Sequence, residues 1–196
     1  MSSRIADLME RIHDLEDELE NELAARQTDL EYRIERGRIV FEEEILARHK
    51  ALRTRVLSYI AGAQPLVILT APFIYAVVVP LALLDLFVTV YQAVCFPVYR
   101  IAKVRRRDYI VFDRHKLGYL NAVEKLNCVY CAYANGLIAY VREIASRTEQ
   151  YWCPIKHAQR LAGAHARYPR FADFGDAEAY REDLDRLRAD LHDRRE

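Results

Sequence analysis

The sequence predicts an all-α integral membrane protein that carries a small cytoplasmic helical Cys/His domain. Three observations lead to this class: an N-terminal segment with an eleven-residue apolar repeat, a central run of 29 uncharged residues, and a cluster of metal-type ligands behind it. The predicted segments are a long amphipathic or coiled-coil helix (1–55), a transmembrane hairpin (56–101), a helical metal-site domain (102–168), and a linker with a charged helix (169–196).

The charges of the chain are balanced overall, with 29 Lys+Arg against 29 Asp+Glu, but they are segregated along the sequence. The first 55 residues and the last 26 are acidic, whereas residues 100–170 are strongly basic. An acidic N-terminal helix argues against nucleic-acid binding, which needs clustered Lys and Arg. Four cysteines are too few for a disulfide-dense secreted scaffold, and the charged N-terminus predicts no signal peptide.

The N-terminal segment contains no proline and repeats a pair of apolar residues every eleven positions, which favours a nearly straight helix association. The five pairs are Leu8/Ile12, Leu19/Leu23, Leu30/Ile34, Phe41/Ile45 and Leu52/Val56. One helix of ~50 residues would be ~75 Å long and would need a partner for its apolar stripe. We therefore expect a homo-oligomer. The alternatives are a helix lying on its own C-terminal domain and a helix ordered only by another protein.

The uncharged run Val56–Leu84 is long enough to enter a lipid bilayer, since ~20 apolar residues cross one. A second uncharged run, Leu86–Tyr99, follows the single charge at Asp85. Pro80 lacks an N–H and is a natural break. The sequence therefore predicts two membrane helices, about 57–79 and 84–101, with a turn near Pro80–Asp85.

Basic residues flank the uncharged region on both sides, at Arg53 and Arg55 and again within 100–107. The positive-inside rule assigns both flanks to the cytoplasm. A hairpin in an inner or cytoplasmic-type membrane, with both termini cytoplasmic, satisfies both. The alternative is a single crossing, in which Asp85 would become a candidate ion or proton site.

A constellation of three cysteines and one histidine follows the membrane region. Cys128, Cys131, Cys153 and His157 form the pattern C-x2-C-x21-C-x3-H, which is a Cys3His ligand set suited to a structural zinc ion. The C-x2-C pair fits one helical turn, and Pro154 is expected to start a helix that carries Cys153 and His157 on one face.

The intervening sequence looks helical, and a straight helix of 21 residues would hold the two half-sites ~30 Å apart. The site therefore requires a break near 135–136 or 146–150, or a metal shared between protomers. His165 is a substitute ligand. The alternatives to zinc are an iron or iron–sulfur centre, a Cys128/Cys131 thiol pair, and cysteines that are merely small buried side chains.

The sequence contains no catalytic motif, and we predict no catalytic residues. A charged helix is expected from about Asp176, the N-cap, to Asp193. The predicted function is a membrane-anchored, oligomeric scaffold or adaptor with a structural zinc site. The alternative is a membrane-bound redox or metal-sensing protein that uses iron or reactive thiols.

Overall fold

The computed structural model describes residues 3–29, 32–35, 38–41 and 43–192. The described residues are mostly helical, which confirms the predicted all-α class apart from one two-stranded hairpin. The helices are α1 (Ser3–Asp29), α2 (Glu43–Ala51), α3 (Val56–Ala61), α4 (Pro65–Ala76), α5 (Val78–Tyr99), α6 (Ala122–Trp152) and α7 (Ala177–Ala189). Short 3-10 turns occupy Arg106–Asp108, Arg114–Lys116 and Tyr168–Arg170. Two compact units divide the chain: residues up to 62 with 113–125, and residues 63–112 with 126 onward.

The prediction of one long helix over residues 1–55 is wrong, because the first unit contains two strands within this range. The chain leaves α1 and forms strands β1 (Tyr32–Glu35) and β2 (Arg38–Phe41), which pair antiparallel before α2 begins. Aromatic and β-branched residues favour strands over helix, and here Tyr32 pairs with Phe41 and Ile34 with Ile39. The eleven-residue pattern therefore joins helical and strand residues. Leu30, a member of that pattern, lies outside the described residues.

The apolar region of the second unit is one helical stretch rather than two antiparallel helices. α4 and α5 are separated only by Val77, and Pro80 and Asp85 both lie within α5. Pro80 cannot donate a hydrogen bond to the carbonyl four residues earlier, at Ala76, which is where α4 ends. Proline therefore interrupts the helix without reversing the chain. Only one described helix, Pro65–Tyr99, is long and apolar enough to cross a membrane, so the hairpin is not confirmed.

The chain reverses at the end of α5. Arg100 adopts a left-handed conformation (φ 57°), and the Ile101 N–H donates to the Phe96 carbonyl at 2.8 Å. This arrangement resembles a Schellman cap, in which a left-handed residue ends the helix. Residues 101–112, which we call the return segment, then run back along α5. Val104 of this segment contacts Gln92, and Arg106 contacts Asp85.

The core of the second unit lies between α5, the return segment, α6 and the C-terminal end of the chain. Its buried members are Phe96, Ile101, Val104, Ile110, Leu137, Tyr140, Ile144 and Leu191.

α7 packs within the second unit, where Leu187 and the following Leu191 are buried. Asp176 caps α7 as predicted, accepting the Ala179 N–H at 3.0 Å. The helix ends at Ala189, and the predicted end at Asp193 lies outside the described residues.

Candidate functional site

The C-x2-C pair lies on α6, with Cys128 half-buried and Cys131 exposed. Their spacing of three positions puts both cysteines on one side of the helix, as the sequence predicted. Cys153 follows the last residue of α6 and is also exposed. A continuous helix with a rise of 1.5 Å per residue separates Cys131 and Cys153 by about 33 Å. The two halves of the predicted zinc site do not meet within one chain.

The break that the intramolecular site requires is absent, because Asn135 and Gly136 are accommodated inside α6. The Asn135 side-chain amide donates to the Cys131 carbonyl at 3.0 Å. Gly136 is buried against the return segment, and a Cβ there would come within 2.5 Å of the Tyr109 carbonyl oxygen. The glycine therefore allows two backbones to approach closely and does not mark a helix end. Ser146 likewise stays helical and donates to the Glu143 carbonyl.

The predicted helix from Cys153 to His157 is wrong. Ile155 instead forms a parallel bridge with Ala172, whose N–H donates to the Pro154 carbonyl and whose carbonyl accepts the Lys156 N–H. This pairing satisfies the extended backbone, whose polar groups would otherwise need other partners.

Both candidate histidine ligands contact other side chains. The His157 ring stacks on Tyr168, with its Nδ1 3.2 Å from the phenolic oxygen. The Nε2 of His165, the substitute ligand, lies 2.8 Å from the Glu149 carboxylate. Among the described residues, no group of three or more His, Cys, Asp and Glu side chains is arranged to hold a metal ion.

A polar cluster centred on α6 links several segments of the second unit. Glu143 accepts hydrogen bonds from Arg147 and Arg167, both at 2.7 Å. Arg167 also donates to Gln150, which in turn donates to a backbone carbonyl of α7 at 2.6 Å. Arg147 donates to the Ala102 carbonyl of the return segment. We call these four side chains, Glu143, Arg147, Gln150 and Arg167, the Glu143 cluster.

In the Glu143 cluster, one carboxylate is shared by two guanidinium groups. Burial disfavours the charged form of Glu143, but hydrogen bonds from Arg167 and Arg147 outweigh it and hold the pKa of the carboxyl below its ordinary value. The cluster thereby joins the return segment, α6, α7 and the segment before Tyr168. Sequence reasoning missed it, although Glu143 and Arg147 stand at the i, i+4 spacing of a helical ion pair.

Asp85 forms a second polar contact of the second unit. It lies within α5 and not at the turn of a hairpin. Its carboxylate accepts from Arg106 at 2.7 Å and from the Tyr133 hydroxyl at 3.0 Å. The predicted basic flank is thus partly folded back onto α5.

A buried glutamine makes a third polar contact, further along α5. Gln92 accepts the Val104 N–H at 2.6 Å and donates to the Tyr140 hydroxyl at 2.8 Å. Together with the contacts of Asp85, these hydrogen bonds attach one face of α5 to the return segment and α6, which together with α7 we call the helical domain.

A groove of about 420 Å³ runs between α5 and α6. Most of its lining is apolar; the lining residues are Val88, Tyr91, Val141, Ile144, Ala145, Thr148, Glu149, Trp152 and Cys153. A groove of this kind suits the binding of an apolar group.

The comparisons with known proteins return no match. No family model, no curated protein and no solved structure matches this chain.

Proposed function

We propose that this chain is a membrane-anchored scaffold that oligomerises through its N-terminal helix. One observation carries the proposal: the helical stretch Pro65–Tyr99 has a mean hydropathy of 2.4 in its most apolar window, and none of that window is buried. In a water-soluble monomer such a surface would be a large exposed apolar patch, and patches of that kind mark membrane or protein contact.

The two faces of α5 support an anchor that remains tied to the helical domain. Asp85, Gln92 and Phe96 face the domain, as their contacts and burial indicate. The opposite face is apolar and exposed along the whole helix; its members are Val79, Leu83, Leu86, Phe87, Val90, Val94 and Val98. α4 adds further exposed apolar side chains, including Leu66 and Phe73. We infer that lipid covers these surfaces.

We further propose that both termini face the cytoplasm. The basic flanks support this placement. A hairpin would achieve it, but so would a helical stretch that does not reverse and whose apolar face lies in one leaflet, as in monotopic anchors. Two observations support the second arrangement. α5 runs through Pro80 and Asp85 without reversing. Arg107 and Asp108 are exposed next to Arg106, which binds Asp85 within the apolar stretch.

We propose that the fold of the helical domain does not depend on zinc. The separation of Cys131 from Cys153 along α6 argues for the Glu143 cluster as the element that holds the domain together. Zinc could then bind only between protomers. The leucines of α1, about half-exposed, support oligomerisation as the scaffold's working state.

Flotation of the purified full chain with lipid vesicles tests the anchor. We expect the wild type to float and Phe87→Glu to remain largely in the soluble fraction, because a charge on the exposed face of α5 opposes burial in lipid. Phe174→Glu is the matched control, since both phenylalanines are 69% exposed and Phe174 lies outside the apolar helix. Equal flotation of the two variants would refute the anchor.

Tags at the two ends test the topology. Neither tag should be accessible to protease added outside intact cells, and both should become accessible after permeabilisation. Protection of one end only would instead indicate a single crossing.

A further inference from the structure

The apolar face of α1 is exposed in the part of the chain that the structure describes. Five apolar residues, which we call the leucine stripe, are 49–64% exposed; they are Leu8, Ile12, Leu15, Leu19 and Leu23. Their spacings of four, three, four and four place them along one side of the helix. Such a stripe needs a partner surface, because an isolated amphipathic helix is marginal in water.

The leucine stripe is nearly symmetric about Leu15. A second copy of α1 running in the opposite direction would therefore match every member of the stripe. Leu8 would lie beside Leu23 of the second copy, Ile12 beside its Leu19, and the two Leu15 side chains would meet near the crossing. A parallel copy would also align the stripe, so the apolar residues do not decide the direction.

The charged residues beside the stripe do decide it. At 100° per residue, Arg11, Glu18 and Glu22 fall along one edge of the stripe, and Glu16 and Glu20 along the other. In an antiparallel pair, like edges face each other. Arg11 of each copy then lies between Glu18 and Glu22 of the other, about two residues or ~3 Å along the axis from each. Two such contacts form by symmetry, each with two carboxylates, against one close approach of the two Glu16 side chains and two approaches of Arg4 to Arg26 of the other copy.

A parallel pair brings opposite edges together. Arg11 would meet Glu16, but Glu18 and Glu22 would face Glu20 of the second copy, a like-charge contact that also occurs twice. Arg26 adds a further penalty. It continues the stripe three residues beyond Leu23, and in a parallel pair it would face the Arg26 of the second copy within the seam.

From this charge complementarity we infer that α1 forms the seam of an antiparallel homodimer of this chain. The inference rests on the proposed oligomeric scaffold and adds the direction of pairing and the contacts that specify it.

Cysteine cross-linking of the full chain tests the direction. Chains carrying Leu8→Cys and Leu23→Cys are given tags of different size, co-expressed, oxidised, and the disulfides mapped by mass spectrometry. The inference predicts that the main α1 product is a disulfide between unlike chains, which joins the cysteine introduced at position 8 of one to the cysteine introduced at position 23 of the other. Asp17→Cys, on the opposite side of α1, is the control and should not cross-link.

The opposite result is equally clear. Disulfides formed mainly between like chains, position 8 to position 8 and position 23 to position 23, would overturn the antiparallel seam while leaving the oligomeric scaffold intact.

Charge reversal gives an independent test by sedimentation in mild detergent. Arg11→Glu should weaken the dimer about tenfold, since it replaces two attractive contacts with repulsive ones. Adding Glu18→Arg and Glu22→Arg should restore dimerisation. Rescue by Glu16→Arg instead would indicate a parallel seam and overturn the inference. A wild-type chain that sediments as a monomer at every concentration would overturn both the inference and the proposed oligomeric function.

Discussion

Two long helices of this chain, α1 and α6, use their apolar faces in opposite ways. α6, with 31 residues, buries Leu137, Tyr140 and Ile144 against other parts of its own chain. α1, with 27 residues, leaves Leu8 through Leu23 about half-exposed. Helical amphipathicity therefore predicts that a face will be covered but does not say by which molecule. α6 finds its cover within the chain, whereas for α1 we propose that a second copy supplies it.

The largest loss of stability is expected from a substitution in the buried face of α6. Leu137→Ala on α6 should lower the free energy of unfolding by about 2–5 kcal/mol, because it leaves a cavity in a fully buried site. Leu15→Ala on α1 should leave the melting of the helical domain unchanged and weaken dimerisation instead. Thermal denaturation followed by circular dichroism, together with sedimentation, separates the two outcomes. Equal destabilisation by both variants would contradict the contrast.

A smaller effect is expected at the close approach on α6. Gly136→Ala should destabilise the domain by about 1–3 kcal/mol, because the added Cβ would lie 2.5 Å from the Tyr109 carbonyl oxygen and force the backbones apart. Ala139→Val, at an exposed position of the same helix, serves as the control and should cost less than about 1 kcal/mol. A neutral Gly136→Ala would mean that the return segment does not pack as described. Urea denaturation measures both.

The Glu143 cluster should make the stability of the domain depend on pH. Glu143→Gln should cost about 1–3 kcal/mol at neutral pH, since Arg147 and Arg167 lose their shared carboxylate. The folded-state pKa of Glu143 is lowered. Its contribution is therefore present above the unfolded pKa of about 4.3 and is lost as pH falls through the folded value.

Melting temperatures of wild type and Glu143→Gln should accordingly differ at pH 7 and converge in acid. Glu182→Gln, at an exposed position on α7, is the matched control and should melt like the wild type at both pH values. A difference between wild type and Glu143→Gln that persists unchanged in acid would rule out the charged carboxylate as its cause.

The smallest expected effect concerns metal. Treatment of the purified chain with a chelator should shift the melting temperature by less than about 2 °C, because the described ligands are not brought together within one chain. Metal analysis of the untreated protein is the companion measurement. A large loss of stability, or about one zinc per dimer, would support a site shared between protomers, and bound iron with a visible spectrum would support the redox alternative.

Local sequence signals predicted some of the helical elements. The existence of the apolar helix, the capping role of Asp176 and the helical character of the sequence between Cys131 and Cys153 all follow from residue type and spacing. Non-local contacts could not be predicted in this way. The Asn135–Gly136 pair is typical of a helix break, but Gly136 is required by a backbone that approaches from the return segment. The ion pair of Asp85 with Arg106 likewise depends on a chain reversal at Arg100, a residue with no glycine-like signal.

The hairpin of β1 and β2 shows a different limit. Ile34 and Phe41 belong to the eleven-residue helical repeat, but they also fit a short strand pair. Tyr32, Ile39, Val40 and Phe41 favour strands individually, but the surrounding Glu and Arg residues favour helix. Whether such a short segment forms a strand or a helix depends on the residues with which it pairs, and a periodic pattern does not identify those residues.

The return of residues 101–112 along α5 has a consequence for biosynthesis. Arg106 is synthesised 21 residues after Asp85 and Tyr133 another 27 residues later, so α5 leaves the ribosome before its polar face has any partner. At 5–20 residues per second, Arg106 follows Asp85 by roughly 1–4 s. During that interval the nascent helix carries an uncompensated carboxylate within an otherwise apolar run. Under the proposed anchor, capture of α5 by the lipid bilayer therefore competes with completion of its own domain during translation.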